Sequence, residues 1–165
     1  MRFEDISSNT NIIAFRKVRS LSDFIFGKEI TNLFFNDKSN CKIERSKKTK
    51  KIKFIYHNNN LLFILRPTSG YFALTLYSAQ KIIDHIPPPK LRAIVQNDVS
   101  EFIKKGRSVF CKHIIKIDEN LRPNDEVIVV NENDELLGIG KLKLPVDYLL
   151  SFDKGVGIKI RKGNK

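Results

Sequence analysis

The spacing of apolar side chains divides the chain into two patterned stretches, one on either side of Pro87, Pro88 and Pro89. Three prolines in a row cannot continue a helix and favour extended polyproline backbone, so the chain is expected to divide there, into residues 1–86 and 90–165. In the first stretch, Ile12 to Val18 has the β-branched composition of a strand, with weak alternation. Ser20 or Ser22 stands where a cap would open a helix through Phe24 and Phe26. Gly27 interrupts it, and Ile30, Leu33 and Phe34 resume at helical spacing over Lys28 to Phe35. After a polar turn, Lys50 to Tyr56 alternates, with Ile52, Phe54 and Tyr56 on one face. Leu61 to Leu65 is the unbroken apolar run of a central strand, Tyr71 to Leu76 returns, and Ser78 to Ile86 reads as a short helix. This order predicts an antiparallel meander with helices packed on one side.

In the second stretch, Leu91 to Val95 is a short strand. Asp98 and Glu101 have the spacing of a capping box opening a helix, Val99, Phe102 and Ile103 form its apolar face, and Gly106 stands where it should stop. Strands are predicted at Val109–Phe110, Ile114–Ile117, Glu126–Asn131, Glu135–Leu144 and Val156–Arg161. Short strands separated by Gly and Asn turns predict a small closed or nearly closed barrel. The expected fold class is therefore α+β: an antiparallel sheet with helices, then a β-barrel.

Composition narrows the function. Hydrophobic residues make up 41% of the chain, enough for a buried core. No apolar run approaches the roughly 18 residues of a membrane span. Met1-Arg2-Phe3-Glu4-Asp5 is polar and acidic rather than a secretory leader, so the expected location is the cytoplasm. Cys41 and Cys111 are far apart and outside any C-x-x-C motif, which points to two free thiols. His57, His85 and His113 have no metal-ligand spacing, so neither metal nor cofactor is expected. Thirty Lys and Arg against 18 Asp and Glu give a net charge of +12. An excess of that size favours a polyanionic partner, and a surface basic only for solubility is the plain alternative.

The charges cluster. Arg45, Lys47, Lys48, Lys50, Lys51 and Lys53 put six cations into nine positions, a stripe suited to tracking phosphates as a diffuse field. The plainer reading is a solvated loop and strand edge, since edge strands are often protected by lysine. Lys104-Lys105-Gly106-Arg107-Ser108 places cations around a helix-end glycine, where a phosphate or sugar can approach the backbone. Lys112 and His113 follow closely. Lys159, Arg161 and Lys162 flank Ile158 and Ile160, which places their charges on the outer face of the last strand. Arg66, between an apolar strand and a turn, suits a structural role, and Phe72 and Tyr71 suit the core better than base stacking. Cys111 near His113 makes no activated pair by itself, Asp5, Asp23 and Asp84 are isolated, and there is no phosphate-loop motif. No catalytic residue is expected.

Four pieces of the second stretch come in an ordered series: Lys105-Gly106-Arg107-Ser108-Val109-Phe110, Arg122-Pro123-Asn124-Asp125-Glu126-Val127, Gly138-Ile139-Gly140-Lys141 and Lys154-Gly155-Val156-Gly157-Ile158-Lys159-Ile160-Arg161. Together they resemble the PUA domain, a small RNA-binding barrel. That family usually has glycine where this chain has Asn124, and asparagine is the next-best residue for a left-handed turn. In the first stretch, Asp23-Phe24-Ile25-Phe26-Gly27-Lys28, Arg45 to Ile52, Leu65-Arg66-Pro67-Thr68-Ser69-Gly70-Tyr71-Phe72 and Ala79 resemble the domain that precedes PUA in archaeal tRNA-guanine transglycosylases. Nearly the whole chain thus resembles the C-terminal half of an archaeosine-pathway enzyme, with no room for its catalytic barrel. The resemblance implies that the helix ending at Gly106 and the last strand face RNA. It implies a tRNA-binding module, free-standing or docking tRNA for a separately encoded modifying subunit. A PUA-type ribosome-biogenesis or translation factor is the alternative, and a protein-interaction domain that has lost RNA binding is a third class, disfavoured by the basic stripe.

Overall fold

The computed structural model describes the backbone of residues 3–165 and the side chains of residues 11–165, so Met1, Arg2 and the Asp5 side chain lie outside the described residues. Two compact units emerge, Met1–Ser78 and Ala79–Lys165.

The first unit opens with helix α1, Phe3–Phe26, followed by α2, Lys28–Phe35. The strand expected at Ile12–Val18 is instead part of α1. Ala14, Val18, Ser22 and Phe26 recur every fourth residue and are all buried, which is one helical stripe. Ser22 does not cap a helix. Its hydroxyl lies inside the unit and accepts a 2.8 Å bond from Thr31 Oγ1 of α2, and this satisfies both polar groups in the core. Gly27 separates the helices at φ 86°, a left-handed conformation that suits glycine.

Four strands follow: β1 (Cys41–Arg45), β2 (Ile52–His57), β3 (Asn60–Leu65) and β4 (Phe72–Leu74), paired antiparallel in that order. The composition gave no sign of β1. In β2 the expected face is broken by irregular register on both sides, so Ile52 and Ile55 are the buried pair while Phe54 and Tyr56 are only half-buried. Phe63 is the hub of the core. Its ring lies 5.2 Å from Phe26 and Phe72, 5.6 Å from Phe34 and 6.3 Å from Phe35. Phe72 is thus a core residue, whereas Tyr71 is exposed.

Helix α3, Leu76–His85, begins in the first unit and ends in the second. The prolines stop it as expected, but the chain then turns instead of running on extended. Arg92 N–H donates to Pro89 O at 2.9 Å, and Leu91 takes φ 59°. That unfavourable conformation is held by the buried Asp118 carboxylate, which accepts from Leu91 N–H at 2.7 Å.

The second unit continues with β5 (Arg92–Val95), the short helix α4 (Ser100–Lys104), β6 (Val109–Phe110), β7 (Ile114–Ile117), β8 (Glu126–Val130), β9 (Leu136–Leu142), a one-turn helix α5 (Val146–Leu149) and β10 (Val156–Gly163). The strands form one sheet in the order β6-β10-β9-β8-β5-β7, a nearly closed barrel in which only β5 and β8 pair in parallel. All five residues of β8 are buried. Asn124 takes φ 75° in its turn, the conformation for which asparagine replaces glycine. The capping box does not form: a single 3₁₀ turn, Asn97–Val99, leads into α4, whose N-cap Val99 has no capping side chain. Asn97 instead exchanges bonds with Glu132, its N–H donating to Glu132 Oε1 at 3.1 Å and its Oδ1 accepting from Glu132 N–H at 3.2 Å.

Among the described residues, Arg92 is the largest fully buried side chain. Its guanidinium donates to the carbonyls of Ile82, Ile83 and Ile86 at the end of α3 and to Asp134 Oδ2 at 3.0 Å. Burial lowers its pKa, and the Asp134 charge opposes that shift. Ile82 O also accepts from Ile86 N–H, so replacing Arg92 with Ala strands the Ile83 and Ile86 carbonyls and the Asp134 carboxylate, and should cost about 3–5 kcal/mol in urea unfolding. Asp134→Asn, which keeps a carbonyl acceptor, should cost less.

Candidate nucleic-acid interface

The basic run of the first unit builds the tip of the β1–β2 hairpin. Ser46 N–H donates to Lys51 O and Lys50 N–H to Ser46 O, each at 2.8 Å, and Arg45 Nη1 donates to Lys50 O at 3.1 Å. Lys50 turns the chain at φ 58°. Arg45, Lys47, Lys48, Lys50 and Lys51 are exposed, while Lys53 is half-buried with its ammonium 4.8 Å from the Phe54 ring centre. The run is therefore an exposed hairpin end, with Arg45 at the end of the edge strand β1 and Lys53 in β2, a placement both readings share.

In the second unit, the segment from Lys104 to Ser108 is shaped by backbone bonds. Gly106 lies at φ 88°. Its N–H donates to Ile103 O at 2.8 Å, and Arg107 N–H reaches back to Phe102 O at 3.0 Å. These close the C-terminus of α4. Lys105, Gly106 and Arg107 are left exposed, while Lys104 and Ser108 are half-buried. Lys104 lies 3.5 Å from Glu101. Gly163 at the end of β10 packs against this helix end: a Cβ there would overlap the Lys104 carbonyl oxygen. Lys162, exposed, immediately precedes that contact in β10.

Other candidates separate from it. Lys112 is exposed on the turn after β6. Lys159 faces outward, opposite Lys141 on β9. Arg161 is committed elsewhere: its guanidinium donates to the buried carboxylate of Glu126 at 2.6 Å. A buried acid held by one arginine is a structural pair, so Arg161 contributes less to an open cationic face than its position suggests.

Two aromatic residues complete the region. Phe102 is 61% exposed and Phe110 48% exposed. Of the face expected for α4, only Ile103 is fully buried; a helix of five residues packs one side only. Phe102 and Phe110 line a cleft of 520 Å³ with Arg107, Ser108 and His113. His113 Nδ1 lies 2.9 Å from Gln96 Oε1, which fixes the ring. A larger cleft of 980 Å³ is lined by Lys104, Lys105 and Lys165 together with Glu101, Asp134 and Glu135, so its formal charges offset one another. The smaller cleft sets two exposed rings beside Arg107, with the Asp98 carboxylate also in its lining.

Both thiols are shifted away from the thiolate form. Burial raises the pKa of Cys111, and burial together with the nearby Asp37 charge pushes Cys41 up to about 11. Among the described residues, no group of three or more His, Cys, Asp or Glu could hold a metal ion, and no helix is long and apolar enough to cross a membrane.

Comparison with known proteins fits this layout. Residues 16–89 match the model of the patch-forming domain C2 of tRNA-guanine transglycosylase, and residues 92–163 match the PUA domain. The chain is 36% identical over 152 residues to a tRNA-guanine(15) transglycosylase of Methanosphaera stadtmanae, an alignment covering 92% of this chain and 23% of that protein. It is 37% identical over 147 residues to the Methanothermobacter thermautotrophicus protein of the same name, covering 89% and 22%. The chain thus spans under a quarter of the length of these relatives. In fold it is similar to a hypothetical protein of Pyrococcus horikoshii, with a TM-score of 0.73, 20% identity and coverage of 92% of this chain and 90% of that one. It is also similar to a conserved PUA domain protein of Thermoplasma acidophilum, with a TM-score of 0.60, 11% identity and coverage of 88% and 89%.

Nothing lies within 4 Å of a Cβ built on Gly106, so only its positive φ resists substitution. Gly106→Ala should cost about 1–2 kcal/mol in thermal or urea unfolding, and Gly106→Asn less. Iodoacetamide should leave Cys111 unmodified in the native protein at neutral pH, with Cys41 labelling accelerating only as pH approaches about 11.

Proposed function

From a chain that joins a transglycosylase-type C2 domain to a PUA domain, we infer an RNA-binding protein that engages tRNA in a modification pathway without catalysing a reaction itself. We take residues 1–86 as the first domain and 90–165 as the PUA domain, a division supported by family matches that end at 89 and resume at 92. The carrying observation is the Lys104–Ser108 segment, where a glycine-opened backbone, two exposed cations and the exposed rings of Phe102 and Phe110 converge. Lys105 and Arg107 neutralise phosphates there, and the rings offer faces to unpaired bases. The outward lysines of the hairpin, Lys47 and Lys48, add a field that draws in any RNA.

The tRNA and the pathway come from the relatives, which are named tRNA-guanine(15) transglycosylases. On this reading the chain works in the cytoplasm and presents tRNA to a separately encoded catalytic subunit of the archaeosine pathway. Affinity purification from the native cell should recover tRNA together with such an enzyme.

If about five to eight phosphates are contacted, log affinity should fall against log salt with a slope of about −4 to −7. Filter binding of total tRNA at several salt concentrations measures this, and a flat response excludes the reading. Lys105→Glu with Arg107→Glu should weaken tRNA more than an unrelated RNA duplex, while Lys47→Ala with Lys48→Ala should weaken both alike and flatten the slope. Phe102→Ala and Phe110→Ala should each cost about 1–3 kcal/mol in tRNA binding with little change in stability, since both rings are exposed.

A further inference from the structure

The hairpin tip is more than a charged projection. Arg45, Lys50 and Lys51 help line a cleft of 680 Å³ that also takes Lys17 from α1 and Arg66 from the β3–β4 turn. Lys47, Lys48 and Lys53 stay outside it, so the six cations of the run divide between two settings. Among the described residues, no carboxylate lines the cleft. Lys17, Arg45, Lys50 and Lys51 alone bring four like charges together, which favours the site when an anion fills it.

Between the cations the surface is aliphatic, made by Ile13, Leu21, Leu65 and Pro67. Ile13 is 67% exposed, an apolar side chain left open to solvent. The backbone fixes both turns: the hairpin by the Ser46–Lys51 and Lys50–Ser46 bonds, the opposite turn by Arg66 N–H to Tyr71 O at 3.0 Å and Gly70 N–H to Arg66 O at 2.8 Å. The cleft is thus in place before a ligand arrives.

We propose that this cleft seats one unpaired nucleotide of a bound RNA strand, its phosphate between Lys17 and the hairpin lysines and its base on the aliphatic surface. The proposal rests on the RNA-binding reading above and adds a second, strand-selective contact in the first unit. A duplex keeps its bases stacked inside and would present only phosphate and sugar, leaving the aliphatic surface unmatched. The volume lies in the range of small-ligand sites, enough for a nucleotide and too small for a helix.

Lys17 gives the cleanest test, because it is exposed and lies outside the basic run. Lys28, exposed on α2 and absent from the cleft lining, is the control for charge alone. Fluorescence anisotropy of the full chain would compare a short unstructured oligouridylate with a short RNA duplex. Lys17→Glu should weaken the oligouridylate about tenfold and the duplex about twofold or less, Lys17→Arg should bind like the wild type, and Lys28→Glu should shift both by about twofold. A thiouridine-substituted oligomer on the unaltered protein should crosslink to residues of α1 or the β3–β4 turn. Equal loss from Lys17→Glu and Lys28→Glu, crosslinks confined to the second unit, or uridine monophosphate binding as tightly as the oligomer would overturn the proposal. A wild type that binds the duplex but not the oligomer overturns the cleft assignment alone, and one that binds neither removes the RNA-binding reading with it.

Discussion

The second unit is organised around a charge with no access to water. A guanidinium is expensive to bury, and a bare one would not survive there. Arg92 is tolerated because acceptors meet both of its terminal nitrogens: the carbonyls ending α3, and Asp134 from the β8–β9 turn. The same contacts solve a second problem, since helix-end carbonyls inside a protein need donors. One side chain therefore sets α3, β5 and the β8–β9 turn against one another. The neighbouring Leu91, held at positive φ by Asp118, shows how tightly the entry to β5 is constrained.

Arginine at this position could not be recognised as buried from the sequence. Leu91 to Val95 reads as a strand with one polar residue, and a strand places such a residue on the solvent face by default. The Ile12–Val18 segment misleads in the opposite way. Its β-branched composition suggests a strand, while the four-residue recurrence of Ala14, Val18, Ser22 and Phe26 carries the helical signal. Ser22 hides that recurrence, because a serine is not counted as apolar until its partner Thr31 is known. The barrel strands were legible because glycine, asparagine and proline mark their ends and because most of their inward residues are aliphatic. The strand β1, half-buried and polar, had no such marks.

The candidate interface was partly legible for a related reason. Charge runs and a helix-stopping glycine are local features, and Lys104 to Ser108 lies where they place it. What the chain order conceals is convergence. Phe102 looks like one face of a helix until α4 is seen to be too short to bury it. Arg161 looks outward until Glu126, 35 residues away, is found beneath it. Lys17 and the hairpin are separated by a whole helix and a turn, and only the fold brings them to one cleft.

The loop after α4 separates two things that are usually entangled. Its path depends on main-chain bonds and on one glycine, while the side chains of Lys105 and Arg107 take no part in holding it. Charge, size and hydrogen-bonding character at those positions can therefore drift without disturbing the scaffold. Such a loop is evolvable: lineages can retune what it touches one substitution at a time, with no intermediate that fails to fold.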